Sequence, residues 1–374
     1  MLYKTVSPDT NKPDGFSSND LVTVIIPIEE GMSLVRNSIA ISGTLSVRKT
    51  GPAPLDVADG VQYDAQTGIH GFIENMVTSV DIGQGEMVIE NLSQYSQYCH
   101  AFFEANQHFL TQALQNSASM ELRCGQDTYT SAVLVGTKAS AGGANTGDNS
   151  FAFKPLSAVN RTSADIPGAQ VRFLKIQLSL KNVANALYNP APVAGLTYLI
   201  SDIRCHYGMV PTPAGKIVPI EFTKVICTKT SINSSSAQLR YTPPASVIAT
   251  SAIFNLVLQS GGVAPPAGHK IWTTDQLPDV TRVEFSVNGA DYTLKYPLNS
   301  EEEIILNYIK SLNYRASESN AIYPNLLGRG YGIGINYLVP IDFRKSSMGI
   351  NIQSAIASTG QYNVNLFFTC IDSM

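Results

Sequence analysis

The feature that most constrains this chain is a strand-then-helix pattern that occurs once in each half of the sequence. Residues 77–82 (VTSVDI) have the composition of a β-strand, and a helical pattern follows at about residues 91–115. Residues 280–285 (VTRVEF) are similar, and a second helical pattern follows at about residues 300–312. The two strands begin 203 residues apart (280 − 77), close to half of the 374-residue length. The repeat predicts two domains built on one plan.

Outside these two helices, the sequence has mostly strand and loop patterns. Residues 38–47 alternate apolar with small or polar residues, which is typical of a half-buried strand. Residues 246–259 fit either a short helix or a strand. Three successive strands are predicted at the end of the chain, at residues 333–341, 349–355 and 362–371. Many short strands with helices as inserts predict an all-β fold of β-sandwiches or jelly rolls.

The length suits two domains, because a chain of this size exceeds what one hydrophobic core usually serves. Residues 1–19 are polar and contain Pro8 and Pro13, so we expect an N-terminal arm with no core of its own. The first domain is predicted at residues 20–194, and the second at residues 195–374, where a strand pattern at 196–211 opens it.

The charge composition favours a subunit of an assembly. Charged residues make up 14% of the chain, against about 25% in typical soluble domains. A chain with so few charges often buries much of its surface against other chains, although an ordinary β-protein rich in Ser, Thr, Asn and Gly fits this composition equally. The net charge is −4 and no Lys/Arg cluster is present, which argues against direct binding of nucleic acid.

The cysteines and the N-terminal sequence favour a protein made in the cytoplasm and not secreted. The five cysteines include no CxxC pair, and an odd number suits buried free thiols. The N-terminal residues lack the pattern of a signal peptide. No apolar run approaches the ~20 residues that span a bilayer.

Patterns that carry chemistry are incomplete in this sequence. His100 and His108 lie two turns apart on the first predicted helix, without an HExxH motif. The glycines of residues 328–334 miss the GxGxxG spacing and precede a strand, where a nucleotide motif needs a helix. Three acidic residues lack the spacing of a calcium loop: Asp56, Asp59 and Asp64. We therefore predict no catalytic, cofactor-binding or metal-binding residue, no cofactor, and no enzyme activity.

Several segments, taken in order, resemble a known family. The segments are a strand at 37–39 that follows the Pro-rich arm, then residues 71–80, 89–95, 195–207, 332–337 and 367–369. In pattern and order they resemble the double jelly-roll major capsid proteins of the PRD1–adenovirus lineage. This lineage includes polinton-like viruses, virophages and tailless double-stranded DNA phages.

The resemblance implies two tandem eight-stranded jelly-roll β-sandwiches with inserted helices, and a homotrimer that forms a pseudo-hexagonal capsomer of an icosahedral shell. It places the helices at about 92–115 and 300–313 near the top of the capsomer. The implied partners are neighbouring capsomers, penton and minor capsid proteins, and an internal membrane where the virus has one; the implied location is the virion. The arm at 1–19 would lie on the inner side of the shell.

Two alternatives from other functional classes fit an all-β chain. A carbohydrate-binding β-sandwich needs an aromatic platform, and Trp272 is the only tryptophan. A viral receptor-binding or spike protein usually has short repeated β units or a coiled-coil stalk, and neither pattern is present.

Overall fold

The computed structural model describes most of the first half of the chain and the strands of the second. The described residues are 1–10, 12–51, 55, 59–63, 67–99, 132–133, 149–187, 193–232, 236–241, 248–258, 280–287, 290–291, 337–343, 348–354 and 362–373. The chain divides into two compact units, and the division falls inside the strand Glu221–Ile232: the first unit extends to Val225, and the second runs from Ile226 to Asp372.

The first unit contains twelve strands among the described residues. They are β1 (Leu2–Val6), β2 (Leu21–Pro27), β3 (Met32–Leu34), β4 (Ala40–Arg48), β5 (Gln62–Tyr63), β6 (Ile73–Asp81), β7 (Glu86–Leu92), β8 (Ala132–Val133), β9 (Asn149–Phe153), β10 (Ile166–Pro167), β11 (Phe173–Leu180) and β12 (Thr197–Pro211).

The long strands of the first unit form two antiparallel sheets. One sheet has the order β1-β12-β4-β9, extended by the short β3 and β10, and the other has the order β2-β11-β6-β7. When the eight strands of five residues or more are numbered along the chain, these orders read 1-8-3-6 and 2-7-4-5. That is the connectivity of a jelly roll.

The second unit repeats this connectivity strand for strand. Its strands are β13 (Glu221–Ile232), β14 (Ser236–Tyr241), β15 (Ile248–Leu258), β16 (Val280–Val287), β17 (Ala290–Asp291), β18 (Tyr337–Phe343), β19 (Met348–Ser354) and β20 (Tyr362–Ser373). The sheets have the orders β13-β20-β15-β18 and β14-β19-β16-β17. Numbered along the chain, they also read 1-8-3-6 and 2-7-4-5, so the second unit is a jelly roll as well.

The repeated sequence pattern corresponds to one structural position. Residues 77–81 belong to β6 and residues 280–285 to β16, and each is the fourth strand of its jelly roll. The three predicted C-terminal strands are present as β18, β19 and β20. The ambiguous stretch at 246–259 forms the strand β15.

The core of the first jelly roll follows from the alternation of its strands. In β11 every second side chain is buried, from Leu174 to Leu180. An edge-to-face aromatic pair, Phe72 and Tyr198, with ring centroids 5.1 Å apart, adds to this core. Alternation of this kind buries one face of each sheet against the other.

Two predicted boundaries are wrong. Residues 1–19 are not a free arm, because β1 pairs with β12 over five residues and Phe16 is buried against the backbone of Ile200. The first domain does not end at 194, and a strand beginning near 196 does not open the second. Instead β12 is a central strand of the first jelly roll, paired with β4 on one edge and β1 on the other.

The predicted helices are described only in part. Residues 95–99 are helical, whereas Leu92 still belongs to β7 and residues 93–94 form a turn. Residues 100–115 and the helix predicted at 300–313 lie outside the described residues. A short helix, α1 (Val183–Ala186), is capped by the Asn182 side chain. Among the described residues, no helix has the length and apolarity needed to cross a membrane.

Candidate functional site

A buried polar cluster lies in the first jelly roll where β7 leaves its sheet. It comprises Glu90, Arg161, Tyr98, Tyr95, His70 and Cys99, and we call it the polar cluster. A β-bulge explains why a glutamate lies inside. Thr78 is opposite Glu90 while Ser79 is opposite Val88, so Ile89 is an extra residue on β7. The bulge turns both Ile89 and Glu90 inward, where simple alternation would send Glu90 to solvent.

Glu90 is the acceptor at the centre of the cluster. Its side chain is 0% exposed, and its carboxylate accepts hydrogen bonds from the Ala158 amide at 2.7 Å and the Val225 amide at 2.8 Å. The Arg161 guanidinium donates a third bond at 3.1 Å. Burial raises the pKa of the Glu90 carboxyl, and Arg161 and the two amides offset only part of that rise. The three donors satisfy a charged group that would otherwise be costly to bury.

Arg161 distributes its donors over several segments. Besides Glu90, its guanidinium donates to the Tyr98 hydroxyl at 3.1 Å and to the Leu156 carbonyl at 2.9 Å. Its Nε donates to the Ser157 carbonyl at 3.4 Å. The planar guanidinium presents donors in fixed directions, so one side chain can link β7, the helical residues 95–99 and the segment 156–161.

Tyr95 and His70 form the second half of the cluster. The Tyr95 hydroxyl accepts from the Leu156 amide at 3.1 Å and lies 2.8 Å from His70 Nδ1. Cys99 Sγ is 3.7 Å from the same ring nitrogen. The ring of Phe153 packs edge-on against His70 at 4.8 Å between centroids. Burial lowers the pKa of His70 to about 3, which keeps the imidazole neutral near neutral pH.

The cluster is arranged to hold segments together. Five of its six members are buried and Arg161 is partly exposed, and their side chains bond to one another or to nearby backbone. A catalytic group instead needs access to a substrate. Within the described ranges, no three His, Cys, Asp or Glu side chains gather as the ligands of a metal would. The cluster therefore anchors the start of the connection between β7 and β9 onto the jelly roll.

Of the residues considered for chemistry in the sequence, Asp59 is described, and it is paired with Lys49 at 2.7 Å. The other candidates lie outside the described residues: Asp56, Asp64, His100, His108, Trp272 and residues 328–334. A further histidine, His206, lies on β12 between the hydroxyls of Thr5 at 3.1 Å and Ser42 at 2.8 Å, and so bridges three strands.

No protein-family model matches the chain, and no curated protein matches it in sequence. Solved structures do match. The Sputnik virophage structure matches with a TM-score of 0.58 at 11% identity, covering 100% of this chain and 86% of that one. The Faustovirus major capsid protein gives 0.55 at 8% identity, covering 100% and 90%. The mavirus major capsid protein gives 0.53 at 12% identity, covering 98% and 86%.

The fold is a double jelly roll. Two observations support this: both units have jelly-roll connectivity, and the matches to these solved structures cover nearly the whole chain. In this double jelly roll, the polar cluster lies at the root of the connection between the fifth and sixth strands of the first barrel. Sequence reasoning missed the cluster, because Glu90 and Arg161 are 71 residues apart and neither belongs to a motif of known chemistry.

Proposed function

We propose that this chain is the major capsid protein of an icosahedral double-stranded DNA virus and that it forms trimeric capsomers. One observation carries the proposal: both units have the same jelly-roll connectivity. Three copies therefore supply six similar barrels, and six similar barrels around a threefold axis give a pseudo-hexagonal block that tiles a shell. The proteins with similar folds include the major capsid proteins of mavirus and Faustovirus.

Other properties support a structural role over an enzymatic one. The low charge content suits a chain that buries much of its surface between subunits. The polar cluster holds the helical residues 95–99, which follow β7, against the segment 156–161, and a catalytic site is not needed to explain it. On this proposal the chain is not an enzyme.

The proposal extends to location and partners. The chain would be made in the host cytoplasm, would not be secreted, and would reside in the shell of the virion. Its partners would be two further copies in the trimer, neighbouring capsomers, and penton and minor capsid proteins. With a net charge of −4 and no basic cluster, it would not bind the genome directly.

The experiment that tests the proposal is a measurement of native mass by light scattering, followed by negative-stain imaging. We expect three times 40.3 kDa and particles with a hexagonal outline. A monomer that stays monomeric at high concentration and shows no hexagonal outline would contradict the proposal. A glycan array would then test the carbohydrate-binding alternative.

A further inference from the structure

One end of the first jelly roll carries most of its large exposed apolar side chains. The end is defined by the hairpin between β6 and β7, the start of β1 and the loop after β12. Its exposed members, which we call the apolar end, are Met1, Leu2, Tyr3, Ile82, Met87 and Ile217. Tyr3 is 80% exposed and Ile217 is 72% exposed. Exposed apolar groups concentrated in this way mark an interaction site.

Strand register places these residues at the same end. Asp81, next to the hairpin, pairs with Phe173, which pairs with Pro27 at the end of β2. Two residues beyond Pro27, Glu29 forms an ion pair with Lys4 on β1. The loop that contains Ile217 is tied to the same end, because the Thr212 amide donates to the Gly31 carbonyl at 2.9 Å. The polar cluster lies at the opposite end of β7.

The edge of β1 identifies the kind of partner. One edge of β1 pairs with β12, and in the described part of the chain no strand pairs with the other. An open edge presents unpaired amides and carbonyls that another strand can satisfy. Covering such groups with lipid would leave them without hydrogen bonds, which is costly. The edge therefore fits a polypeptide segment better than a membrane.

The charges at this end indicate what kind of partner it binds. Lys4 is the only charged residue of β1 and forms an ion pair with Glu29; beside the hairpin, Lys175 pairs with Glu86. No Lys/Arg cluster that could bind nucleic acid occurs in these segments. In the register that pairs all five residues, symmetric antiparallel pairing of β1 with a second copy would place Lys4 directly opposite Lys4, and like charges in that position are destabilising. An uncharged segment of a different protein avoids this repulsion.

We propose that the apolar end is a strand-addition site. An extended, uncharged segment of another protein, with apolar side chains at alternate positions, pairs with the open edge of β1. Leu2 and Tyr3 point to opposite faces of the strand, so the apolar side chains of the segment contact one of them and its other side chains lie beside the other. If the chain is a capsid protein, this partner would lie on the inner side of the shell, and that placement rests on the proposed function. The binding of the segment to β1 does not depend on the proposed function, so the two proposals can fail separately.

The test uses the full-length protein and a fluorescein-labelled octapeptide of alternating valine and threonine as the probe, followed by fluorescence anisotropy. We expect saturable binding. The double variant Leu2→Thr/Tyr3→Thr keeps β-forming residues but removes the apolar contact, and it should weaken binding by about tenfold. Leu21→Thr is the matched control, because Leu21 is 46% exposed and lies at the other end of β2. It should leave binding unchanged.

Four results would overturn the inference. They are absence of peptide binding, equal binding by the double variant and the wild type, sedimentation with phosphatidylcholine vesicles that the double variant loses, and a native mass that falls in the double variant. The third would identify lipid as the occupant, and the fourth would identify a second copy of this chain. A wild-type trimer that fails to bind the peptide rejects this inference and leaves the capsid proposal intact.

Discussion

Two glutamates on β7 differ sharply in what their side chains contact. Glu90 is 0% exposed and accepts three hydrogen bonds, while Glu86 is 38% exposed and pairs with Lys175. Replacing Glu90 with alanine leaves two buried backbone amides without an acceptor and removes the carboxylate partner of the Arg161 guanidinium. We expect a loss of about 3–5 kcal/mol in the free energy of unfolding. Chemical denaturation of the full-length variant measures it.

Glu86→Ala is the control on the same strand. It removes a partly exposed ion pair that water screens and one hydrogen bond from the Ser79 hydroxyl, so the expected loss is about 1–2 kcal/mol. Equal losses for the two variants would show that the polar cluster contributes no more than a surface ion pair.

His70 makes stability depend on pH in the acid range. Its pKa is lowered by burial to about 3, from 6.5 in the unfolded chain. Between these two values the unfolded state binds a proton at His70 and the folded state does not. The free energy of unfolding therefore decreases as the pH falls from 6.5 towards about 3. In the His70→Gln variant, we expect the slope of the free energy of unfolding against pH to be smaller by up to about 1.4 kcal/mol per pH unit.

Denaturation curves measured between pH 4 and pH 8 test this dependence. Above pH 7 the imidazole is neutral in both states. There the free energies of unfolding of wild type and variant should differ by a constant amount, which is the effect of the substitution itself. Parallel lines across the whole range would show that His70 does not carry the acid sensitivity.

At the scale of elements, β1 and the segment that follows it contribute differently. β1 pairs with β12 but buries none of its side chains, whereas Phe16 is 4% exposed and exchanges two backbone hydrogen bonds with Ile200. We expect deletion of residues 1–6 to lower the unfolding midpoint less than deletion of residues 1–19. Phe16→Ala should lower the free energy of unfolding by about 3–5 kcal/mol, which would account for most of the difference between the two deletions. Thermal and chemical denaturation of the three variants provide the comparison. If the two deletions cost the same, the pairing of β1 is the main contribution.

The bulge in β7 shows why the polar cluster could not be predicted. Alternation along residues 86–92 assigns Ile89 and Asn91 to one face and Glu90 to the other. One extra residue reverses that assignment from Glu90 onward. A bulge depends on how the partner strand pairs, which a single strand's sequence does not specify. In contrast, regular strands such as β11 have a clear alternation, from which the buried face can be read directly.

At the scale of the molecule, the boundary of the first domain has a direct test. β12 contributes Tyr198, Cys205 and Met209 to the core, each with 0% exposure. We expect a fragment of residues 1–225 to unfold cooperatively and a fragment of residues 1–194 to remain unfolded, because the shorter one lacks a central strand. Circular dichroism and heteronuclear NMR spectra of both fragments distinguish these outcomes. A folded 1–194 fragment would restore the boundary expected from the sequence.

The overall architecture was predictable because it rests on repetition. The same strand pattern occurs in both halves, and each copy is the fourth strand of its barrel. The boundary was not predictable from local pattern, because β12 has the same composition whether it ends one barrel or begins the next. Its assignment comes from pairing with β1 and β4, which lie more than 150 residues earlier.

The pairing of β1 with β12 also constrains how the protein is made. Leu2 is opposite Met209, so β1 has to wait after its synthesis for a partner translated 207 residues later. In the second barrel the central strand β20 is likewise the last strand in chain order. Neither barrel can close until its final strand emerges, and contacts this distant in sequence form slowly. Nascent chains therefore carry unpaired, aggregation-prone strands until that point, and we expect a chaperone to raise the yield of folded protein.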